Sequence, residues 1–338
     1  MTLPAFTVLR PRTLSEALFR LQENPSQVRI LAGGTDLLPS MRQRLFAPEY
    51  VLDIGGIREL KGIRQTEHGM EIGALTSLRE IEHSCDLEQH YPLLVQAAKA
   101  VASPVIRNMA TLAGNICLDT RCLWYNQSQA WRKSCGFCLK KDGNLCHVAP
   151  GGTKCWAVFA GDTPPALLCL EAEIEVMSAV GTERIPLRQL YTGEGDSYHR
   201  LQRNQLITRI ILPSTSADLR GSYRKIRVRG SIDYPLAAVA LALKGDEERI
   251  EVLRVALTAV NPAPTMVEGM AAAMRVATTP SEFAEVVAEL AARTAKPLTT
   301  SALTPEYRRE MIRLLARRAF LDVVVAGSGA TIRTSSLR

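Results

Sequence analysis

The chain has 338 residues, of which 41 are Lys or Arg and 34 Asp or Glu, a formal charge of +7 with histidines neutral. Its 46% hydrophobic content supports ordinary folded cores and its length suggests about two domains, which excludes a disulfide-stapled miniature scaffold and a disordered chain. No apolar run reaches about 18 residues, no secretory leader pattern opens the sequence, and basic residues are scattered, so the expectation is a cytoplasmic protein that binds neither membrane nor nucleic acid.

Thr13 opens a Thr-Leu-Ser-Glu capping box with Glu16, and Ala17, Leu18 and Leu21 follow at helical spacing. Residues 28–31 read as a strand broken by Gly33-Gly34, with a helix from Leu37. Residues 52–54, 71–74 and 174–177 read as further strands. Residues 92–102 form an Ala-rich helix stopped by Ser103-Pro104. Between Cys117 and Cys155 the pattern fails, because Trp124, Tyr125, Trp131 and Phe137 are the few large apolar side chains in a polar, basic stretch. A bound metal or cluster could order such a segment. From about Asp218 the texture changes. Residues 222–228, 236–243 and 250–260 are strand-like, and 266–274, 281–293 and 305–326 look helical, which suggests a separate α+β domain.

Two loops carry phosphate-binding chemistry. Ile30-Leu31-Ala32-Gly33-Gly34-Thr35-Asp36-Leu37 sets two glycines between a strand and a helix, where bare backbone can approach an anion and turn its N–H groups toward it. Asp36 would repel a phosphate and is expected to cap the following helix. Thr111-Leu112-Ala113-Gly114-Asn115 offers hydroxyl, glycine and amide, after an exposed-looking Ile106-Arg107-Asn108. Either loop alone is also an ordinary tight turn.

The eight cysteines are concentrated. Cys117, Cys122, Cys135, Cys138, Cys146 and Cys155 fall within 39 residues, which in a cytosolic chain points to metal rather than disulfides. The spacing Cys122-x15-Cys138-x7-Cys146-x8-Cys155 suits either a zinc site or an iron–sulfur cluster. Asn115 and Cys122 are seven residues apart, so their separation cannot exceed about 25 Å. Arg121, Arg132, Lys133, Lys140, Lys141 and Lys154 face one acidic residue, Asp142, within their span, and are expected to form a basic rim for an acidic electron-transfer partner or to offset a negative cluster.

The GGTD loop, the SPVIRNMATLAGN stretch and YRKIRVRGSIDYPLAAVA together resemble the flavin subunit of the xanthine oxidase family over roughly residues 5–320. The resemblance implies an α+β chain: a two-lobed, PCMH-type FAD-binding domain at 1–216, with lobes at about 1–56 and 57–216, a [4Fe–4S] insertion at about 118–157, a C-terminal α+β domain at 217–325, and a tail at 326–338. It implies that Ile30 to Leu37 and Thr111, Ala113, Gly114 and Asn115 hold FAD, that Ala102 and Ile106 line the dinucleotide, and that Asp162 and Lys225 approach the flavin. The cysteine-rich run is similar to the insertion of the 4-hydroxybenzoyl-CoA reductase branch, which implies Cys122, Cys138, Cys146 and Cys155 as [4Fe–4S] ligands. Cys135 departs from that pattern. No catalytic residue is expected in this chain.

The implied enzyme adds a large molybdenum-cofactor subunit and a small subunit with two [2Fe–2S] clusters, as a dimer of heterotrimers. A ferredoxin-like donor would feed electrons through [4Fe–4S] and FAD toward molybdenum, for reductive dehydroxylation of 4-hydroxybenzoyl-CoA. Two alternatives stand beside it: the flavin subunit of an aldehyde or N-heterocycle oxidising molybdenum hydroxylase, and a zinc-stabilised interaction module.

Overall fold

Residues 2–245, 250–272 and 279–327 are described by a computed structural model, whose strands form three sheets. The first is short and parallel: β1 (Thr7–Leu9), β2 (Val28–Leu31) and β3 (Tyr50–Asp53) in the order β1-β3-β2. Parallel pairing needs a crossover, and helices α1 (Leu14–Glu23) and α2 (Leu37–Arg42) supply it. Ala17, Leu18 and Leu21 of α1 bury against Val28, Leu52 and Ile54. Thr13 caps α1 by accepting from the Glu16 amide, but the Glu16 carboxylate reaches back to the Arg12 amide at 2.8 Å rather than to that of Thr13.

The second lobe is an antiparallel sheet of β4 (Ile63–Thr66), β5 (Gly69–Gly73), β6 (Glu173–Ser178), β7 (Gly181–Pro186) and β8 (Leu206–Pro213), in the order β4-β5-β8-β6-β7. Between β5 and β6 run helices α3 (Leu78–Glu82), α4 (Cys85–His90), α5 (Pro92–Lys99), α6 (Pro104–Arg107), α7 (Leu112–Ile116), α8 (Gln129–Ser134) and α9 (Thr163–Cys169). The helix expected over 92–102 stops at Lys99, because Ala102 turns left-handed at φ 42° ahead of Ser103-Pro104.

The C-terminal sheet joins β9 (Arg220–Ile226), β10 (Ala237–Gly245), β11 (Ile250–Thr258) and β12 (Thr265–Met266) in the order β12-β11-β10-β9, all antiparallel. Small and large residues alternate along β10. Val239, Leu241 and Leu243 pack with helices Pro280–Thr294 and Pro305–Gly327, whereas Ala240 and Ala242 join the second-lobe core beside α5 and α9. The alanine face permits close approach: a Cβ on Gly221 would lie 2.8 Å from that of Leu93. Each buried Val or Leu contributes about 1.5–3 kcal/mol to this sandwich.

The helix expected over 266–274 is corrected at its start, because Met266 pairs with Ala256 in β12; residues 273–274 lie outside the described residues. The last helix runs to Gly327, past the expected start of the tail at 326, and residues 328–338 lie outside the described residues. Among the described residues no helix is long and apolar enough to cross a membrane.

Candidate cofactor sites

The two glycine loops meet. A Cβ on Gly33 would lie 1.9 Å from the Met109 carbonyl oxygen and 3.1 Å from Ala110 Cα, so the loop after β2 rests backbone-to-backbone on the loop before α7. Gly34 sits at φ 72°, a left-handed conformation that favours glycine. In the second loop Thr111 accepts from the Gly114 amide and so fixes the start of α7. Asn115 Oδ1 accepts from the Thr163 amide at 3.0 Å and its hydroxyl at 2.7 Å, which turns the Asn115 amide nitrogen away from α9. The Ala102 carbonyl accepts from the Ile232 amide and the Ser231 hydroxyl, bringing the segment after β9 to the same place. Ile30, Val105 and Met109 keep apolar side chains exposed on these segments, while Ile106 is partly buried against the second-lobe core.

Asp36 does not cap α2. It pairs instead with Arg121 and lies 3.4 Å from the Tyr234 hydroxyl, while the Arg121 guanidinium stacks 4.1 Å over the Tyr234 ring. Burial pushes the Asp36 carboxyl up, and the Arg121 charge opposes that rise. This triad ties the glycine loop, the start of the cysteine segment and the C-terminal domain together. Tyr234 stands inside the RGSIDYP run, but nothing in its spacing announced this role.

Asp162 and Lys225 are neighbours, with Lys225 Nζ 2.8 Å from Asp162 Oδ1 and side chains 6% and 4% exposed respectively. The Tyr223 hydroxyl donates to the same oxygen at 2.7 Å. Burial pushes the Asp162 carboxyl up and the Lys225 charge pulls it back. Lys225 is therefore neither a solvated strand charge nor an unpaired cation. Arg107 also departs from expectation: it is buried, with Nε 2.9 Å from Glu82 and a further bond to the Val101 carbonyl.

In the cysteine segment, Cys122, Cys138, Cys146 and Cys155 line one small pocket, of about 10 Å³, with Trp124, Tyr125, Lys140 and His147. Cys135 is not among its lining residues; it ends α8. A small satellite core of Leu45, Tyr125 and Cys138, flanked by Phe46 and Cys122, seats the segment on the first lobe. Burial pushes the Cys122 thiol up to about 11 and that of Cys155 up to about 12, so ionisation there needs a positive partner. The Ala157 amide donates to Cys155 Sγ at 3.4 Å. His147 stacks on Trp124 at 4.3 Å, with Nε2 2.5 Å from the Phe137 carbonyl. Among the described residues no three His, Cys, Asp or Glu side chains converge on a position for a single metal ion.

The expected basic rim is corrected. Arg132 is 1% exposed and donates to the carbonyls of Gln43, Arg44 and Gln127, so it is an internal strut. Lys140 is buried against Asp119, and Arg121 belongs to the Asp36 triad. Lys133, Lys141 and Lys154 remain at least partly exposed. Long cationic side chains satisfied internal carbonyls and carboxylates that the sequence did not place beside them.

Residues 4–215 match the family described as the FAD binding domain in molybdopterin dehydrogenase, and residues 221–323 match the CO dehydrogenase flavoprotein C-terminal domain. The aldehyde oxidoreductase FAD-binding subunit of Escherichia coli is 31% identical over 274 residues, covering 78% of this chain and 84% of that one. The carbon monoxide dehydrogenase medium chain of Hydrogenophaga pseudoflava is 25% identical, covering 94% and 96%. The solved carbon monoxide dehydrogenase from that organism superposes with a TM-score of 0.78 at 26% identity, over 96% of this chain and 99% of that chain. With the α+β two-domain fold and the paired glycine loops, these matches show that the chain belongs to the FAD-binding medium subunits of the xanthine oxidase and CO dehydrogenase family of molybdenum enzymes.

Proposed function

We propose that the chain carries FAD in the electron-transfer arm of an oxidising molybdenum hydroxylase whose substrate is an aldehyde or an N-heterocycle. The observation that carries this reading is the glycine-loop joint at Gly33 and Met109, flanked by the Asn115 amide and bare apolar side chains. Such a cradle offers backbone donors to a pyrophosphate and apolar cover to an aromatic ring. Residues 30–37 with Thr111, Ala113, Gly114 and Asn115 would hold FAD, Ala102 and Ile106 would line it, and the Asp162–Lys225 pair would set the charge near it. Bound FAD supplies the redox chemistry, and the chain's residues bind it, orient it and keep its surroundings dry.

Direction and substrate class follow the relatives, whose names give aldehyde, glyceraldehyde, xanthine, nicotinate, nicotine and carbon monoxide as substrates. The implied partners are a large molybdenum subunit and a small iron–sulfur subunit, in the cytoplasm. We further assign Cys122, Cys138, Cys146 and Cys155 to a [4Fe–4S] cluster. Each thiolate of such a cluster binds a different iron, and the four cysteines lining one pocket would supply those ligands.

A second reading is reductive dehydroxylation of 4-hydroxybenzoyl-CoA, favoured by the cysteine spacing of the insertion. Anaerobic assays on the purified complex separate the two. Oxidation of aldehydes or N-heterocycles with flavin bleaching is the expected result. Thioester reduction driven by a low-potential donor, without such oxidation, would reverse the assignment.

A further inference from the structure

Lys140 is a cation in a place where a cation is expensive. It lines the cysteine pocket, its side chain is 5% exposed, and its ammonium is held by Asp119 Oδ1 at 2.7 Å, the Gly195 carbonyl at 2.7 Å, the Thr120 carbonyl at 3.3 Å and the Thr120 hydroxyl. The Tyr125 ring lies 4.5 Å beneath it, and the Tyr125 hydroxyl occupies the other Asp119 oxygen at 2.8 Å. Well-packed apolar residues could replace such a buried pair at little or no cost to stability, so stability alone is a weak reason for it.

Its position supplies another reason. Asp119 and Thr120 stand on the short segment between Asn115, in the flavin loop, and Cys122, the first pocket cysteine. Gly195 connects Lys140 to the pocket from the other side: its carbonyl accepts from Lys140, and its amide donates to the Cys155 carbonyl at 2.9 Å. A Cβ on Gly195 would lie 2.8 Å from Cys155 Sγ, so the contact needs glycine. The cation is thereby held in the pocket wall by the segment that leads from Asn115 to Cys122, with its side chain 5% exposed.

We infer that Lys140, held by Asp119, is an electrostatic tuning residue that raises the reduction potential of the iron–sulfur cluster in the pocket and so sets its rank relative to the flavin. The inference rests on the [4Fe–4S] assignment. Reduction adds one electron, and hence one negative charge, to a centre already bound by four thiolates. A fixed positive charge in a low-dielectric wall favours the reduced form, and the Asp119 carboxylate partly cancels it.

The test is a redox titration of the anaerobically purified, iron-loaded full-length chain, with dithionite as reductant, mediators present and EPR as readout. Lys140→Met should lower the midpoint potential, Asp119→Asn should raise it, and Lys140→Arg should restore a value near wild type. Opposite shifts with unchanged iron content are not produced by general loosening of the pocket. Unchanged potentials, or shifts of the same sign in Lys140→Met and Asp119→Asn, would overturn the inference while leaving the cluster assignment standing. Where Lys140→Met loses its iron, Asp119→Asn decides: a raised potential supports the role, and an unchanged or lowered one overturns it. Wild-type protein purified without iron and labile sulfide would overturn the cluster assignment itself, and this inference with it.

Discussion

Replacing Gly33 by alanine tests the joint on which the flavin site depends. The new Cβ would lie 1.9 Å from Met109 O, 2.7 Å from Met109 C and 3.1 Å from Ala110 Cα. Comfortable carbon contacts begin at about 3.5 Å, so the loops must part by roughly 1.5 Å, and no rotamer change can relieve a clash between main-chain atoms. Overpacking of this kind costs about 1–3 kcal/mol. At about 2–4 °C per kcal/mol for a domain of this size, the apo-protein should melt roughly 2–12 °C lower, and FAD retained through gel filtration should fall with it. Gly56→Ala is the internal control, because nothing lies within 4 Å of its Cβ position; it should keep both wild-type values. A Gly33→Ala protein with wild-type melting and full flavin content would refute the close approach of the two loops.

Lys225→Met strands the buried Asp162 carboxylate and should cost about 3–5 kcal/mol in denaturant unfolding, while the Asp162→Asn/Lys225→Met double variant should recover much of it; additive losses would contradict the pairing. His199 is partly buried with Nδ1 unpartnered, and burial pushes its pKa below 6.5. The unfolded chain then binds the extra proton first, so stability is full above the unfolded value and declines as pH falls below about 6.5. A His199→Gln protein should show a flatter melting profile across that window, and an identical slope would exclude this histidine. Cys122→Ser and Cys146→Ser should lose iron, whereas Cys135→Ser should keep it; iron loss in Cys135→Ser would break the ligand assignment.

Local rules carried the sequence reading a long way, and long-range pairing limited it. The strand at 28–31, the cap at Thr13 and the glycine loops follow from turn chemistry and periodicity, which neighbouring residues fix. The cysteine cluster was visible in its spacing, which suited zinc as well as iron–sulfur; the choice of four of its cysteines came from the resemblance of their run to a cluster-bearing insertion. The sequence could not reveal that Asp36 would reach Arg121 across 85 positions, or that Arg107, Arg132 and Lys140 would turn inward. A charge in sequence carries no depth. Its burial is set by which carbonyls and carboxylates the tertiary fold brings within reach, as Gln43 and Arg44 are brought to Arg132. Tyr223, Tyr234 and Gly195 went unread for the same reason, since each acts on a partner more than thirty residues away.

Cofactor analysis of the anaerobically purified chain tests most directly whether FAD and an iron–sulfur cluster share this subunit. The expected result is about one FAD, four iron and four labile sulfide per chain, with flavin and cluster bands in the visible spectrum. A colourless protein carrying stoichiometric zinc and no flavin would contradict it.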